Sequence, residues 1–343
     1  MDNKILIGIM TNKKPRQKQL KRFISFNKNP NVELFAFTPS GINWQEEKIS
    51  GLTVSKGETI TKEFPFPNSV INLIYTKQQQ TIAKLEEKLG GKKVFNTVNR
   101  LDKWQTYETL SESPVAFFLP DTFMFKEKEF LPLLKRYKVL YLKPRHGLKG
   151  VLIYRVEWKE EAGQYNIYDH SSTPVFVFND EKLCLTKIKE IAGKKKYIVQ
   201  KEIKSAAVNE SIFDIRVIIH KNRLGKWEVS GGLARIAIPR VYVTNAALKM
   251  LPLEDLLKRL NMGFLQRAVF KKKLELISIA SAKALEEEAG QFGELSADFM
   301  IDDRNQLFML EINGQPTKKV RDPDLLEKMY TKPLDFACYL AEN

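Results

Sequence analysis

The sequence predicts an α/β protein built from more than one lobe, and three observations carry that expectation. The chain has 343 residues, more than one small core requires and enough for two or three packed subdomains. Near the amino terminus short apolar runs alternate with polar turns and helix-like stretches, whereas from Val139 onward longer strand-like runs dominate, giving α+β lobes. Hydrophobic residues make up 43% and charged residues 28%, a globular balance that excludes a disordered or fibrous chain.

In chain order, residues 4–10, 32–37 and 70–75 read as strands and 81–89 as a helix, a small open α/β lobe over 1–95. A strand at 94–96 leads into a helix over 102–110, and Pro120 and Thr122 punctuate the chain at a lobe boundary. Strands at 139–143, 150–158, 165–168 and 175–178, a helix at 182–191 and a strand at 197–203 form a middle lobe of about 120–203. The remainder, 204–343, carries strands at 213–219 and 227–238, a long amphipathic helix at 265–288, strands at 295–301 and 307–313, and a closing helix at 323–341.

A net charge of +15 suits an anionic partner: a nucleotide, an acidic polymer, a nucleic acid or a membrane surface. Lys and Arg are scattered, and no zinc finger, aromatic RNA-binding strand or basic zipper accompanies them, so the charge does not favour nucleic acid. The chain shows no long uncharged apolar run and no secretion-signal order at its start, so no membrane span and a cytoplasmic location are expected. Cys184 and Cys338 lie far apart without metal spacing and read as core thiols in a reducing compartment. His146, His170 and His220 are isolated, and neither G-x-x-x-x-G-K-[ST] nor G-x-G-x-x-G occurs.

The stretch LSADFMIDDRNQLFMLEINGQP sets two apolar strands around a polar turn of two or four residues at Arg304 and Asn305. Pairing Asp302 with Leu307 places Asp298 across from Glu311, with Cβ atoms about 4.5–5.5 Å apart. Asn313 points to the same face by alternation. Like charges in that position call for a cation, and two carboxylates with an amide oxygen suit Mg²⁺, Mn²⁺ being an acceptable substitute. The bland alternative is a pair of carboxylates at an exposed sheet edge. Glu311 lies inside an apolar run, where an unpaired buried charge is costly, and that weighs against it.

In VLYLKPRHGLKG an apolar strand ends at Lys143, followed by Gly147 and Gly150; a lysine there places a point charge on phosphate, or simply reaches water. FDIRVIIHKN alternates, with Phe213, Ile215, Val217 and Ile219 on one face and Asp214, Arg216 and His220 on the other. Asp214 and Arg216 are neighbours on that face and can form a plain ion pair. Arg235, among apolar residues, fits an anionic intermediate or a structural pair equally well.

In order, DKWQTYETL, VLYLKP, YIVQKEI, FDIRV, ADFMID and LEINGQP resemble the succession of motifs in ATP-grasp enzymes, from about Asn96 to Pro316. FDIRVIIHKNRLGKWEVSGGLARIA followed by VTN resembles the YheC/YheD group, named for endospore coat-associated proteins. The resemblance implies an ATP-grasp fold: an amino-terminal open α/β lobe before a two-lobed ATP-binding region, 96–343, with antiparallel sheets. It implies that Lys103 and Lys143 reach ATP phosphates. Gln200, Lys201, Glu202 and Ile203 then form the hinge, with backbone groups of Lys201 and Ile203 on the adenine edge. Asp214 reaches the ribose side, Asn245 lies near the phosphates, and Arg216 and Arg235 act on substrate or intermediate. Asp298, Glu311 and Asn313 fall on the magnesium ligands.

The implied activity is an ADP-forming ligase that joins a carboxylate to an amine through an acyl-phosphate, with ATP and Mg²⁺. Its substrates would be an amino acid, a peptide or an acidic polymer, and the oligomeric state stays open. Two loops depart from the family pattern: Leu148 stands where a small hydroxyl residue is usual, and Ala246–Met250 replaces a Gly-Gly pair. These departures leave a second reading, an ATP-binding scaffold or spore-associated structural protein with little turnover. A third is a basic nucleic-acid-binding protein.

Overall fold

Apolar alternation along the strands sorts the chain into three sheets, each covered by helices. The computed structural model describes residues 4–12, 17–147, 150–208, 210–239 and 247–343.

The first sheet contains β1 (Ile5–Met10), β2 (Val32–Asn43), β3 (Lys48–Ser55), β4 (Glu58–Pro65), β5 (Ser69–Asn72) and β6 (Val94–Phe95), with α1 (Gln17–Phe26) and α2 (Gln79–Leu89) as connections. Its order is β4-β3-β2-β1-β5-β6, parallel from β2 to β6 and antiparallel across β3 and β4. Ile7 and Ile9 of β1 point to one core and Met10 to the core beneath α2. The sequence reading missed α1, β3 and β4. The β3–β4 signal was present, since Lys56 and Gly57 both take positive φ (50° and 84°), as a two-residue hairpin turn requires. The strand expected to reach residue 75 stops at Asn72, whose side-chain oxygen accepts from the Ile74 N–H at 3.0 Å and turns the chain.

After α3 (Lys103–Ser111) comes an antiparallel sheet: β7 (Thr122–Met124), β8 (Val139–Pro144), β9 (Tyr154–Lys159), β10 (Gln164–Tyr168), β11 (Phe176–Phe178) and β12 (Tyr197–Lys201), ordered β11-β10-β9-β8-β12-β7. Helices α4 (Glu127–Tyr137) and α5 (Glu181–Ala192) cover one face, where Phe130, Leu134 and Ile188 meet Leu140, Leu142 and Val156. The other face of β8 presents Tyr141 and Lys143. The strand expected from residue 150 begins at Tyr154, because Gly150 and Leu152 both have positive φ and break the extended run. Pro132 inside α4 hid that helix from the sequence.

The third sheet holds β13 (Ala207–Val208), β14 (Ser211–Lys221), β15 (Trp227–Ala237), β16 (Ala247–Pro252), β17 (Glu294–Ile301) and β18 (Leu307–Asn313), with α6 (Leu253–Arg259) and α7 (Phe264–Ala289). Phe213, Ile215, Val217 and Ile219 pack with Leu274, Ile277 and Leu285 of α7. The expected amphipathicity of α7 does not hold. Phe270, Leu274 and Ile277 are buried, yet Phe264, Leu265, Val269 and Leu276 are exposed, so apolar residues occupy both faces. Helix α8 (Pro323–Glu342) runs between the first and third sheets: Leu334, Phe336 and Ala337 join Ile7 and Phe95, and Leu325 and Met329 pack on Ile218 and Leu233. Cys184 and Cys338 are buried free thiols. Among the described residues no helix is long and apolar enough to cross a membrane.

Candidate functional site

The cleft between the second and third sheets is floored by the β17–β18 hairpin. The turn has three residues: the Asp302 N–H donates to Gln306 O at 2.9 Å, and Asn305 takes φ 61°. Asp302 Oδ1 accepts from Arg304 N (3.0 Å) and Gln306 N (2.7 Å). Asp302 therefore faces Gln306, which corrects the expected partner, Leu307. Regular continuation of the observed ladder, Ile301 on Leu307 and Phe299 on Met309, would set Asp298 opposite Leu310, one residue short of Glu311. A bulge inserts Leu310 as the extra residue and returns Glu311 to a position opposite Asp298. The facing carboxylates thus arise from an odd loop and a bulge together.

Asp298 is matched by cations on the adjoining strands. Arg216 lies directly opposite on β14, with Nε and Nη2 each 2.7 Å from a carboxylate oxygen. Arg235, opposite Asp214 on β15, donates from Nε to Asp214 Oδ1 at 2.6 Å, from Nη2 to Asp214 Oδ2, and from Nη2 to Asp298 Oδ2 at 3.1 Å. Asp214 therefore bonds across the sheet to Arg235, while Arg216, its neighbour along the strand, hydrogen-bonds Asp298 and feels Asp214 as a nearby charge. A sheet places opposed residues closer than alternate residues on one strand, which favours the cross-strand partners. Burial pushes the Asp298 carboxyl upward, but Arg216 and Arg235 outweigh it and hold the group below the usual carboxylate range. Asn313 Nδ2 reaches Asp298 Oδ2 at 3.5 Å.

Two lysines face this floor from other elements. Asp102 caps α3, accepting from Trp104 N (2.8 Å) and Gln105 N (3.2 Å), and the first residue of the helix, Lys103, places Nζ 2.5 Å from Glu311 Oε1. Lys143, near the end of β8, places Nζ 2.5 Å from Gln200 Oε1, while Gln200 Nε2 donates to Thr122 Oγ1 at 3.0 Å. Burial and the nearby Lys103 charge lower Lys143 to about 8, with Glu311 opposing them. Asp298, Glu311 and Asn313 supply two carboxylates and an amide around one point, a hard-oxygen set of the kind Mg²⁺ takes. Within it Glu311 is a third exposed, whereas both Asp298 oxygens already accept from guanidinium groups.

Lys143, Gln200, Lys201, Glu202, Ile203, Asp214, Arg235, Asp298 and Glu311 line one cavity. Lys103 and Asn313 line a second, which shares Lys143, Gln200 and Glu311 with the first. Arg216 lines neither and lies behind Asp298. Asn245, Leu148 and Ala246 fall outside the described residues. At the expected hinge the backbone groups divide as follows. The Lys201 N–H is already donated to Asp121 O at 2.9 Å, so only its carbonyl remains for a base edge, while the Ile203 N–H has no protein acceptor among the described residues. The Glu202 side chain is held by Arg155 Nε at 2.7 Å. Sequence reasoning missed the apolar walls, Tyr141, Ile153, Met300 and Leu310, and missed Tyr75 from the first lobe and Asn99 just after it. The exposed alternation of β8 pointed to Tyr141; nothing local marked the others.

A family model described as YheC/D like ATP-grasp matches residues 91–340. The chain is 24% identical to endospore coat-associated protein YheD of Bacillus subtilis (strain 168), over 96% of this chain and 75% of that protein. It is 25% identical to endospore coat-associated protein YheC of the same organism, over 70% of this chain and 67% of that protein. Among solved structures, D-alanyl-alanine synthetase A from Vibrio cholerae aligns with a TM-score of 0.57 at 12% identity, covering 99% of each chain. VanG D-Ala:D-Ser ligase from Enterococcus faecalis aligns at 0.56 and 14% identity, over 97% of this chain and 99% of that one. N5-carboxyaminoimidazole synthetase from Staphylococcus aureus, complexed with ADP, aligns at 0.52 and 11% identity, over 91% of this chain and 70% of that one. At such identities the likeness is one of fold.

Proposed function

The chain belongs to the YheC/D-like ATP-grasp family, and from that premise we propose that it is an ADP-forming ligase that joins a carboxylate to an amine through an acyl-phosphate. The observation that supports this reading is the convergence of Lys103, Lys143, Asp298, Glu311 and Asn313, from three separate parts of the chain, on two adjoining cavities. The apolar walls Tyr141, Ile153, Met300 and Leu310 suit an adenine ring, with the Lys201 carbonyl and the Ile203 N–H at its edge.

Lys143 and Lys103 then neutralise phosphate oxygens, each releasing its present partner, Gln200 or Glu311. Glu311, Asn313 and Asp298 would hold Mg²⁺, which would supply neutralisation of phosphate charge. The acid's oxygen attacks the γ-phosphorus and ADP leaves; the amine nitrogen attacks the acyl carbon, and phosphate leaves with loss of a proton from nitrogen. Arg235 offers a fixed positive charge where the oxyanion develops, and Arg216 keeps Asp298 ionised and oriented. A panel of amino acids, peptides and acidic polymers paired with amines, assayed for ADP and phosphate, tests the proposal. Release that needs both acid and amine is expected; silence across the panel removes the ligase reading.

A second reading is an ATP-binding scaffold, in keeping with the endospore coat association in the relatives' names. The engagement of both Asp298 oxygens by Arg216 and Arg235 favours it. Calorimetry showing tight Mg-ATP binding without turnover would select it.

A further inference from the structure

Outside the two cavities just described, the segment that leaves β8 forms one wall of a recess lined by Arg100, Asp102, Arg145, His146, Lys195 and Lys196, with Pro144 beneath. Asp102 is the single acid among the described lining residues, and it is engaged. Arg145 Nε lies 3.0 and 2.9 Å from its two oxygens and Arg145 Nη2 lies 2.7 Å from Oδ2, while the α3 amides occupy Oδ1 as well. Arg145 is thereby fixed, with its side chain 16% exposed and Nη1 without a protein acceptor among the described residues.

The other cations have no such anchor. Arg100, Lys195 and Lys196 reach no carboxylate among the described residues, although many exposed lysines elsewhere, such as Lys62, Lys126 and Lys135, find a glutamate. Lys77 extends the same wall in the adjoining groove, also without a carboxylate partner. His146 reports the resulting field: burial and then Arg100, Arg145 and Lys77 lower its pKa, against the pull of Asp102. Cations gathered around one acid that is already engaged repel one another and gain most from a ligand that brings several negative groups.

The recess borders the reaction cleft. The Lys103 N–H donates to Arg145 O at 3.1 Å, and Gly147, next to His146, lines the cavity that contains Lys103 and Glu311. A ligand in the recess therefore lies beside the proposed phosphate end rather than on a remote face. The geometry points to a subsite for further anionic groups of the acid substrate, so that the acid is a poly-acid, bearing extra carboxylates or phosphates, and not a simple monocarboxylate. This inference rests on the ligase reading.

Calorimetric titration of the full chain, saturated with Mg²⁺ and a non-hydrolysable ATP analogue so that the nucleotide site is filled, tests it with hexaglutamate, tripolyphosphate and glutamate. One of the two polyanions is expected to bind at least about tenfold tighter than glutamate, and to weaken as salt rises. The tighter of the two identifies carboxylate or phosphate as the recognised group. The exposed triple variant Arg100→Ala, Lys195→Ala, Lys196→Ala should lose that gain while its affinity for the analogue stays unchanged, and Lys196→Glu alone should weaken polyanion binding in the same direction. Equal affinity for all three probes, or parent-like polyanion binding by both variants, overturns the subsite. ADP release from monocarboxylates as fast as from the poly-acids, in parent and triple variant alike, also overturns it and leaves the ligase reading standing. Polyanion binding that the variants abolish, with no ADP from any acid, sustains the anion site and removes the ligase reading instead.

Discussion

Lys143 sits where burial and a neighbouring lysine oppose a nearby glutamate, and its ammonium loses its proton near pH 8. An anionic phosphate favours the charged form, so nucleotide binding raises this pKa and takes up a proton at and above pH 8. Titration of an ATP analogue between pH 7 and 9.5 should show affinity falling once pH exceeds 8. Lys143→Met should remove that pH dependence and weaken binding roughly 10–100-fold, the worth of about 1.5–3 kcal/mol for a hydrogen bond to a charged group. Arg235 supports two carboxylates at once, Asp214 and Asp298, with its own side chain 10% exposed. Arg235→Ala removes the guanidinium that two buried carboxylates share and should cost about 3–5 kcal/mol, read as a lowered urea midpoint. These partners could not be read from FDIRV and GGLARIA, since the arginines sit at plausible ion-pair spacing in sequence yet bond across strands that meet only in the sheet.

At the scale of elements, α3 and the segment after β8 are joined through Asp102, which caps the helix and holds Arg145. Burial would raise the Asp102 carboxyl, but the Arg145 hydrogen bond and the two amides outweigh it and keep it low. Asp102→Asn retains a capping oxygen and loses the charge on Arg145, whereas Asp102→Ala loses both. Thermal melts should therefore rank parent, Asn and Ala in falling order, with the cap accounting for about 0.5–2 kcal/mol of the Ala deficit. Helix α3 was legible because its start near residue 102 is a local property of the sequence. The hairpin and its Asp298–Glu311 pairing were legible, but the turn was not: an even loop was expected, while the three-residue turn and the bulge at Leu310 depend on how β17 is already paired to β14.

Across the whole molecule, a buried polar group ties the segment after β6 to the third sheet and to the stretch before α8. Glu294 of β17 bonds Lys318 at 2.5 Å and accepts from Asn96 at 3.3 Å, and His220 Nδ1 contacts Ser230 Oγ at 2.7 Å with its other nitrogen 3.7 Å from Glu294. Burial lowers the His220 pKa below its usual 6.5, beyond what Glu294 restores, so the folded chain keeps it neutral while the unfolded chain binds a proton. Glu294 is held below its ordinary value: burial opposes this, but Lys318 and His220 prevail. Both shifts have one sign, since the unfolded state binds more protons. Stability should fall as pH drops below 6.5, through His220, and again below 4.5, through Glu294. Urea unfolding at pH 7.5, 5.5 and 4 measures this, and His220→Gln should flatten the upper step. By itself the sequence determined the α/β class, the order of the main strands and helices, the pairing of Asp298 with Glu311 and the motif succession that places the chain in its family, because period, alternation and turns are local properties. Only the tertiary structure decided that Asp298 shares Arg216 and Arg235, that an odd turn and a bulge at Leu310 are what set Glu311 opposite it, that α8 returns to the first sheet, and that Arg100, Lys195 and Lys196 gather beside Arg145. Each of these depends on contacts between residues distant in the chain, and no local pattern encodes such distances.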